Sequence, residues 1–165
     1  WPCVIDAVGR VAAKRPVGLV LIGNGHQQAS VIEHVSGNPH IQLLEPVRNR
    51  TALATIMASC DALVHGSSAE TFGLVASEAL ASGLPLIVPN GGAVADIAHP
   101  DFSETYTPGN AHAAADAIMR LLDRDRDQLQ YAAHRAAATA RTLDDHFAAL
   151  FQTYAQAISE KREAA

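Results

Sequence analysis

Residues 62–88 read ALVHGSSAETFGLVASEALASGLPLIV, and this stretch decides the fold. An apolar run is followed by a polar loop, then by a helix-forming segment that ends at Gly83, and then by a second apolar run. That order predicts a strand, a helix and a parallel strand joined by one right-handed crossover. Open α/β sheets bind ligands where loops leave the carboxyl ends of the strands. We therefore expect a binding site at the loop that precedes this helix.

Two glutamates lie on either side of the predicted helix start at Gly73 and Leu74: Glu70 in the loop and Glu78 in the helix. The first amide groups of a helix have no backbone partner, and together with the helix dipole they favour an anion. Two carboxylates beside such an anion site suit a nucleotide-sugar, which has hydroxyl groups at its ends and phosphate in the middle. The residues alone leave a structural alternative open, in which Glu78 is solvated and Glu70 complements the helix dipole.

The composition of the 165-residue chain disfavours several classes of protein. Its formal net charge of -5 argues against nucleic acid as the main partner, because nucleic-acid binding normally needs a basic face. The two cysteines are too few for a disulfide scaffold and predict a reducing, cytoplasmic setting. No apolar run approaches the roughly 18 residues of a membrane span, and no segment resembles a signal peptide.

The rest of the chain alternates between apolar runs and amphipathic segments. Strands are predicted at 17–22, 40–44, 62–64, 86–88 and 104–106. Further helices are predicted at 2–15, 26–36, 50–59, 93–98, 111–122, 126–142 and 144–161, two of them capped by Asn49 and Asn110. This alternation predicts a doubly wound parallel α/β sheet with helices on both faces. An aromatic stripe in the last helix predicts packing against the core or an interface.

Most other candidate motifs indicate structure rather than chemistry. Residues 23–25, GNG, lack the third glycine and the later acid of a dinucleotide fingerprint, so they predict only a tight turn. The eight histidines are scattered without metal-ligand spacing. A P-loop is absent from the sequence, and so is a G-x-S-x-G elbow. His65 is the exception, because it ends a central strand near the predicted site.

Three segments and a glycine pair form one recognisable block: ASCDALVH at 58–65, ETFG at 70–73, EALASGLPLIV at 78–88 and GG at 91–92. This block resembles the C-terminal donor-binding domain of retaining GT-B glycosyltransferases, most closely the group 1 or family-four class. The shared signature is a pair of glutamates separated by seven residues, with Phe-Gly after the first and a small-residue-Gly-x-Pro turn after the second. The resemblance covers nearly the whole chain and favours the functional interpretation of Glu70 and Glu78.

The resemblance implies that Glu78 binds the ribose hydroxyls of a UDP- or GDP-linked sugar. It implies that Glu70, the catalytic residue, lies beside the transferred sugar. Backbone amides that contact the sugar and the pyrophosphate would come from Phe72, Gly73, Leu74 and Val75.

The resemblance also assigns the far side of the donor site. Pro46 and Val47 would border the nucleobase, and Gly23 would let the nucleotide approach the end of its strand. His65 would reach the donor phosphate or sugar. No metal and no other cofactor is implied, since such folds stabilise the leaving diphosphate with a helix terminus and basic side chains.

The chain departs from the family pattern at its start. The family has an N-terminal acceptor domain and a first strand followed by phosphate-binding cations, and this sequence has neither. In the strand order 3-2-1-4-5-6, the missing strand would lie between 17–22 and 62–64. Its absence would leave a central gap with unpaired backbone groups, which is costly. We expect the gap to close by direct pairing, by a swapped segment or by a partner chain.

The sequence therefore predicts the donor-binding portion of a retaining glycosyltransferase, which moves a sugar from an NDP-sugar to an acceptor hydroxyl and is inactive without its acceptor domain. Residues 1–142 would form the nucleotide-sugar-binding domain, truncated at its N-terminus. Residues 143–165 would form a helix that packs on it or toward a missing partner domain. Self-association or strand exchange, and a peripheral membrane acceptor for the full enzyme, are further expectations. A fragment of a nonhydrolysing sugar-nucleotide epimerase and a non-catalytic nucleotide-sugar-binding module remain as alternatives.

Overall fold

The computed structural model describes residues 1–67, 69–139 and 143–163, in which strands and helices alternate. The strands are β1 (Leu19–Ile22), β2 (Ile41–Leu44), β3 (Leu63–Val64), β4 (Leu86–Pro89) and β5 (Ser103–Tyr106). The helices are α1 (Pro2–Ala12), α2 (Gln28–Val35), α3 (Arg50–Ala58), α4 (Leu74–Ala81), α5 (Ala93–Ile97), α6 (Ala111–Leu122), α7 (Arg126–Ala138) and α8 (Leu143–Glu163). The predicted α/β class and the order of its elements are confirmed.

Helix boundaries follow local sequence signals. The side chains of Asn49 and Asn110 cap α3 and α6 as predicted, each accepting a backbone N–H at 3.0 Å. Helix α1 ends at Ala12 rather than at the predicted Arg15, because Pro16 disfavours helical geometry at the residue before it. Residues 140–142 of the predicted seventh helix lie outside the described residues.

Helices cover both faces of the larger sheet, which has the order β3-β4-β5 with parallel pairing throughout. Side chains alternate between the two faces along β4. Ile87 packs in the cluster formed with α1 and α6, whereas Leu86 and Val88 pack in the cluster formed with α4, α5 and α7. All four residues of β4 are buried, as expected for a strand covered on both faces. The predicted doubly wound arrangement is confirmed.

The predicted central gap is present in the structure. β1 pairs with β2 in a separate two-stranded parallel sheet, and within the described residues β1 does not pair with β3. Direct pairing, one of the three predicted ways to close the gap, is therefore wrong. Helix α1 packs on both sheets, with Val4 in the larger cluster and Ile5 against Leu21 in the smaller one.

The last helix does not bury its aromatic stripe. The exposed apolar side chains of α8 are Phe147, Phe151, Tyr154 and Ile158. The rings of Phe147 and Phe151 stack on each other at 6.3 Å between centroids. Packing of this stripe in the core of the domain is therefore wrong, and packing toward a partner domain remains a prediction. Among the residues described, no helix is both long and apolar enough to span a bilayer.

Candidate functional site

A cavity of 1710 Å³ lies between the two sheets. Predicted site residues that line it are Gly23, Pro46, Val47, His65, Val75 and Glu78. They follow β1, β2 and β3 or lie in the first turns of α4, so they meet at the carboxyl edge of the strands, as the sequence predicts. The other predicted residues, Glu70, Phe72, Gly73 and Leu74, form the loop and helix start beside the cavity.

The loop before α4 is organised by the Glu70 carboxylate. Its Oε1 accepts hydrogen bonds from the backbone N–H groups of Thr71 at 3.0 Å, Phe72 at 3.3 Å and Gly73 at 3.2 Å. The amides of Phe72 and Gly73 make the largest contributions to lowering the pKa of Glu70 below its ordinary value. Glu70 is therefore ionised at neutral pH. The predicted contact of the Phe72 and Gly73 amides with a ligand competes with this arrangement.

Gly73 sets the geometry of the helix start. Its φ is +67°, in the left-handed region that favours glycine, and a Cβ at this position would lie 2.5 Å from Cδ1 of Ile97, which would have to move aside. The carbonyl of Gly73 accepts the amides of Ala76 and Ser77 at 3.0 and 3.1 Å.

Two amides at the start of α4 remain without a partner. Within the part of the chain that the structure describes, the backbone N–H groups of Leu74 and Val75 donate no hydrogen bond. The side chain of Leu74 is 69% exposed and that of Phe72 is 77% exposed. Both side chains therefore extend into solvent. The unpaired amides lie at the positive end of the helix dipole, where an anion is favoured.

Glu78 lies one turn further along α4. It is three residues from Val75 and therefore on the same face of the helix, and both residues line the cavity. The Glu78 side chain is exposed and, among the described residues, has no hydrogen-bond or salt-bridge partner. Its carboxylate is thus free to accept hydrogen bonds from a ligand.

His65 is buried at the end of β3, with 7% of its surface exposed. Its Nε2 lies 3.6 Å from Oε2 of Glu70, and its buried Nδ1 has no hydrogen-bond partner among the described residues. The hydroxyl of Tyr106 donates to the His65 carbonyl at 2.6 Å. Burial raises the pKa of Tyr106 to about 12, so the hydroxyl stays protonated as a donor.

Tyr106 was missed by sequence reasoning as a residue that positions the site. It lies 41 residues beyond His65 in the chain, and no local motif links the two. The available signal was its place at the end of β5, because the carboxyl ends of parallel strands lie at one edge of the sheet.

The far side of the cavity belongs to the smaller sheet. Gly23 has φ +127°, and a Cβ there would meet nothing within 4 Å, so its backbone angle rather than close packing favours glycine. Pro46 is exposed and Val47 is half-buried after β2. The candidate site therefore straddles the gap, with Gly23, Pro46 and Val47 on one side and His65 and α4 on the other. Within residues 1–67, 69–139 and 143–163, no group of three His, Cys, Asp or Glu side chains is placed to hold a metal ion.

Comparison with known proteins identifies the family. Residues 3–139 match the family model described as Glycosyl transferases group 1. The chain belongs to this family. It is 34% identical over 134 residues to a GDP-mannose-dependent alpha-mannosyltransferase of Mycobacterium tuberculosis, a match that covers 80% of this chain and 34% of that protein.

Two solved structures show the same fold as this group 1 chain. A glycosyltransferase from Rickettsia africae superposes with a TM-score of 0.77 at 22% identity, over 93% of this chain and 43% of its own. Anabaena Alr3699/HepE in complex with UDP superposes with a TM-score of 0.72 at 24% identity, over 96% of this chain and 44% of its own. The chain thus spans only about a third of the mannosyltransferase and less than half of each of these structures.

Proposed function

We propose that this chain binds the nucleotide-sugar donor of a group 1 glycosyltransferase, and that the complete enzyme transfers the sugar to an acceptor hydroxyl with retention of anomeric configuration. One observation carries the proposal. A free carboxylate, Glu78, and the two unpaired amides of Leu74 and Val75 lie within one turn of the same helix at one cavity. A group that can accept from hydroxyls thus lies beside groups that can donate to an anion, a combination that suits a nucleotide-sugar.

The donor diphosphate would bind at the start of α4. The amides of Leu74 and Val75 would donate to its oxygens, and the helix dipole adds to the attraction. Negative charge grows on the diphosphate as the bond to the sugar breaks, so preorganised amides stabilise the transition state more than the ground state. Metal is not part of this proposal, because the chain's own amides supply the electrostatic stabilisation.

Glu78 would bind the ribose. From Val75 to Glu78 the helix rises about 4.5 Å, which is on the scale of the step from a diphosphate to the ribose hydroxyls. An ionised carboxylate has two oxygens and can accept from both hydroxyls of the ribose diol. Gly23, Pro46 and Val47 would then face the nucleoside from across the gap.

Glu70 would hold the transferred sugar. Its Oε1 is occupied by three backbone amides, so its Oε2, near His65, is the oxygen left to accept a sugar hydroxyl. The same carboxylate holds the loop that leads into the free amides of Leu74 and Val75. Glu70 would therefore bind the sugar and also fix the position of the phosphate site. His65, whose Nε2 lies 3.6 Å from Oε2 of Glu70, would lie next to the bound sugar hydroxyl.

Calorimetric titration of the chain with GDP, UDP, GDP-mannose and UDP-glucose tests the proposal. GDP-mannose is the first choice, since the Mycobacterium tuberculosis relative depends on it, and UDP follows because the Anabaena protein binds it. We expect one nucleotide family to bind and Glu78→Gln to weaken it about 10- to 100-fold, the cost of a hydrogen bond to a charged group. Glu33→Gln, on exposed α2 away from the cavity, is the matched control and should leave affinity unchanged.

Absence of binding by all four ligands, or equal affinity in the Glu78 variant, would contradict the donor site. Because the chain spans about a third of the mannosyltransferase's length, we also propose that it binds donor without transferring it. Transfer to an added acceptor by the chain alone would overturn that part. Epimerised donor formed without acceptor would point to the epimerase chemistry instead.

A further inference from the structure

His65 is fixed in place by hydrogen bonds to both of the strands that follow it in the larger sheet. Its amide donates to the Ile87 carbonyl of β4 at 2.9 Å, and its carbonyl accepts the hydroxyl of Tyr106, at the end of β5, at 2.6 Å. Its side chain is buried, so packing leaves the imidazole little freedom to rotate. The fold therefore sets the directions in which the two ring nitrogens point.

The two ring nitrogens of His65 lie in different surroundings. Nδ1 is buried and has no hydrogen-bond partner among the described residues, so it costs stability rather than contributing to it. Nε2 lies 3.6 Å from Oε2 of Glu70, and His65 lines the cavity. Since Nδ1 is closed off, Nε2 is the nitrogen that a ligand in the cavity can meet. A buried imidazole that costs stability beside an ionised carboxylate is a candidate for a role in binding.

The Glu70 carboxylate decides which nitrogen holds the proton when the imidazole is neutral. Hydrogen bonds from the amides of Phe72 and Gly73 hold the pKa of Glu70 below its ordinary value, and an ionised carboxylate can only accept hydrogen bonds. A lone pair on Nε2 would face this negative charge, so we assign the proton to Nε2. Nε2–H of His65 and Oε2 of Glu70 are thus a donor and an acceptor side by side.

The distance between this donor and this acceptor suits a shared ligand atom better than a direct hydrogen bond. At 3.6 Å, Nε2 and Oε2 are too far apart to bond directly. Two groups that each lie about 2.8 Å from one hydroxyl oxygen are roughly 3.6–4.6 Å apart, for angles of about 80–110° at that oxygen. The observed distance is at the short end of this range. A hydroxyl fits the pair because it donates and accepts through the same oxygen.

Other ligand groups suit the pair less well. A phosphate or a carboxylate would bring negative charge against the ionised Glu70 and could not donate to it. An ammonium group could donate to Glu70 but has no lone pair with which to accept from His65. The pair therefore favours an uncharged hydroxyl. Of the two contacts that the resemblance implies for His65, it favours the sugar over the phosphate.

We propose that His65 and Glu70 bind the same hydroxyl of the transferred sugar, His65 by donating from Nε2 to its oxygen and Glu70 by accepting its hydrogen at Oε2. This inference rests on the proposed donor site and adds a specificity-determining residue to it. The sugar must carry a free hydroxyl at this position, and a sugar with a charged group there is rejected.

The test compares His65→Asn with His65→Gln. The side-chain amide of glutamine can place an N–H near the position of Nε2, whereas that of asparagine reaches only as far as Nδ1. The wild type and both variants are titrated calorimetrically with GDP and GDP-mannose, and with UDP and UDP-glucose. The readout is the ratio of the affinity for the nucleotide-sugar to the affinity for its nucleoside diphosphate, because a general loss of structure would lower both.

We expect His65→Asn to lower this ratio about 3- to 10-fold, the effect of one hydrogen bond, and His65→Gln to restore most of it. An unchanged ratio in His65→Asn, with the nucleoside diphosphate still bound, would overturn this inference and leave the proposed donor site intact. If the wild-type chain bound neither nucleoside diphosphate nor nucleotide-sugar, the donor site would fail and this inference with it.

A second measurement uses the wild-type chain alone, in case a variant fails to fold. Proton–nitrogen NMR spectra of the imidazole ring report which nitrogen is protonated and whether its surroundings change. We expect the proton of His65 on Nε2, and a shift of that nitrogen when the nucleotide-sugar is added but not when the nucleoside diphosphate is added. A proton on Nδ1, or the same Nε2 signal with both ligands, would overturn the proposal.

Discussion

The two sheets of this chain differ in how fully they are buried. In the larger sheet, all four residues of β4 are buried between two layers of helices. In the smaller sheet, β1 buries only Leu21, and the associated cluster contains four buried residues. Since apolar burial is the main favourable term in folding, the larger sheet provides most of the stability. The smaller sheet depends on α1, which packs on both.

The candidate site is likewise divided between the larger and the smaller sheet. The larger sheet positions the start of α4, proposed to bind the phosphates. It also positions Glu78, proposed to bind the ribose, and Glu70, proposed to bind the sugar. The smaller sheet contributes Gly23, Pro46 and Val47, proposed to border the nucleoside. A ligand that touches both sides would hold the weaker sheet against the stronger one and stabilise the folded state by mass action. We therefore expect ligand binding and the stability of the smaller sheet to be coupled across the gap.

The largest backbone cost should appear in a pair of glycines. Gly23→Ala places a Cβ at φ +127°, outside the regions that residues with a Cβ normally adopt, and should cost about 2–3 kcal/mol of backbone strain. Gly73→Ala, at φ +67° in the left-handed region, should cost about 1–2 kcal/mol, because Cδ1 of Ile97, 2.5 Å from the added Cβ, is the end of a side chain that can move aside. Urea unfolding of both variants measures the difference. A larger cost at Gly73 would show that Ile97 cannot move.

A pair of valines compares the strands themselves. Val88→Ala removes two methyl groups from a fully buried site in β4 and should lower the free energy of unfolding by about 2–3 kcal/mol. Val20→Ala, in half-open β1, should lower it by about 0.5 kcal/mol or less. Denaturant midpoints give the two values. Similar losses would mean that the smaller sheet is as well packed as the larger one.

The hydrogen bond from Tyr106 to the His65 carbonyl should have a smaller effect on stability within the larger sheet. Tyr106→Phe leaves the buried His65 carbonyl without its hydroxyl donor and should cost about 1–3 kcal/mol. Tyr131→Phe, at a position that is 66% exposed, is the control and should change the unfolding free energy little. If the Tyr106 variant unfolds with the wild-type midpoint, this hydrogen bond does not position β3.

The smallest expected effect concerns acid stability. The pKa of Glu70 is lowered in the folded state, so its contribution is present above the unfolded pKa, about 4.3 for a glutamate, and is lost as the pH falls through the lower folded value. Glu70→Gln should therefore show a weaker loss of stability than wild type below that pH. Glu33→Gln should follow the wild-type curve. Thermal unfolding across that acid range makes the comparison, and superimposable Glu70→Gln and wild-type curves would contradict it.

Local signals in the sequence predicted much of this molecule. The crossover around α4 could be recognised because its strand, loop, helix and Gly83 stop are adjacent in the chain. The gap could be predicted from the family resemblance, because the strand order 3-2-1-4-5-6 places a strand between 17–22 and 62–64 that these 165 residues do not supply. Contacts between distant residues could not be predicted in this way. The hydrogen bond from Tyr106 to His65 depends on two strands brought to one edge by the fold.

Two features of the site depend on three-dimensional geometry rather than residue pattern. The sequence placed Glu70 beside the helix start, but only the loop conformation shows its Oε1 accepting three amides. That conformation leaves Leu74 and Val75, rather than Phe72 and Gly73, with free amides. For α8 the sequence left two alternatives, the core or an interface, because helical spacing shows that a face is apolar and not what covers it; the exposed stripe rules out the core.

We propose that one nucleotide-sugar contacts both sides of the gap. Amide chemical-shift mapping during titration with GDP-mannose and UDP-glucose tests it most directly. We predict that one of them shifts the amides of Leu74, Val75 and Glu78 on the larger sheet's side together with those of Gly23 and Val47 on the smaller sheet's side. Shifts confined to one side, or no shift at these residues with either ligand, would contradict the account.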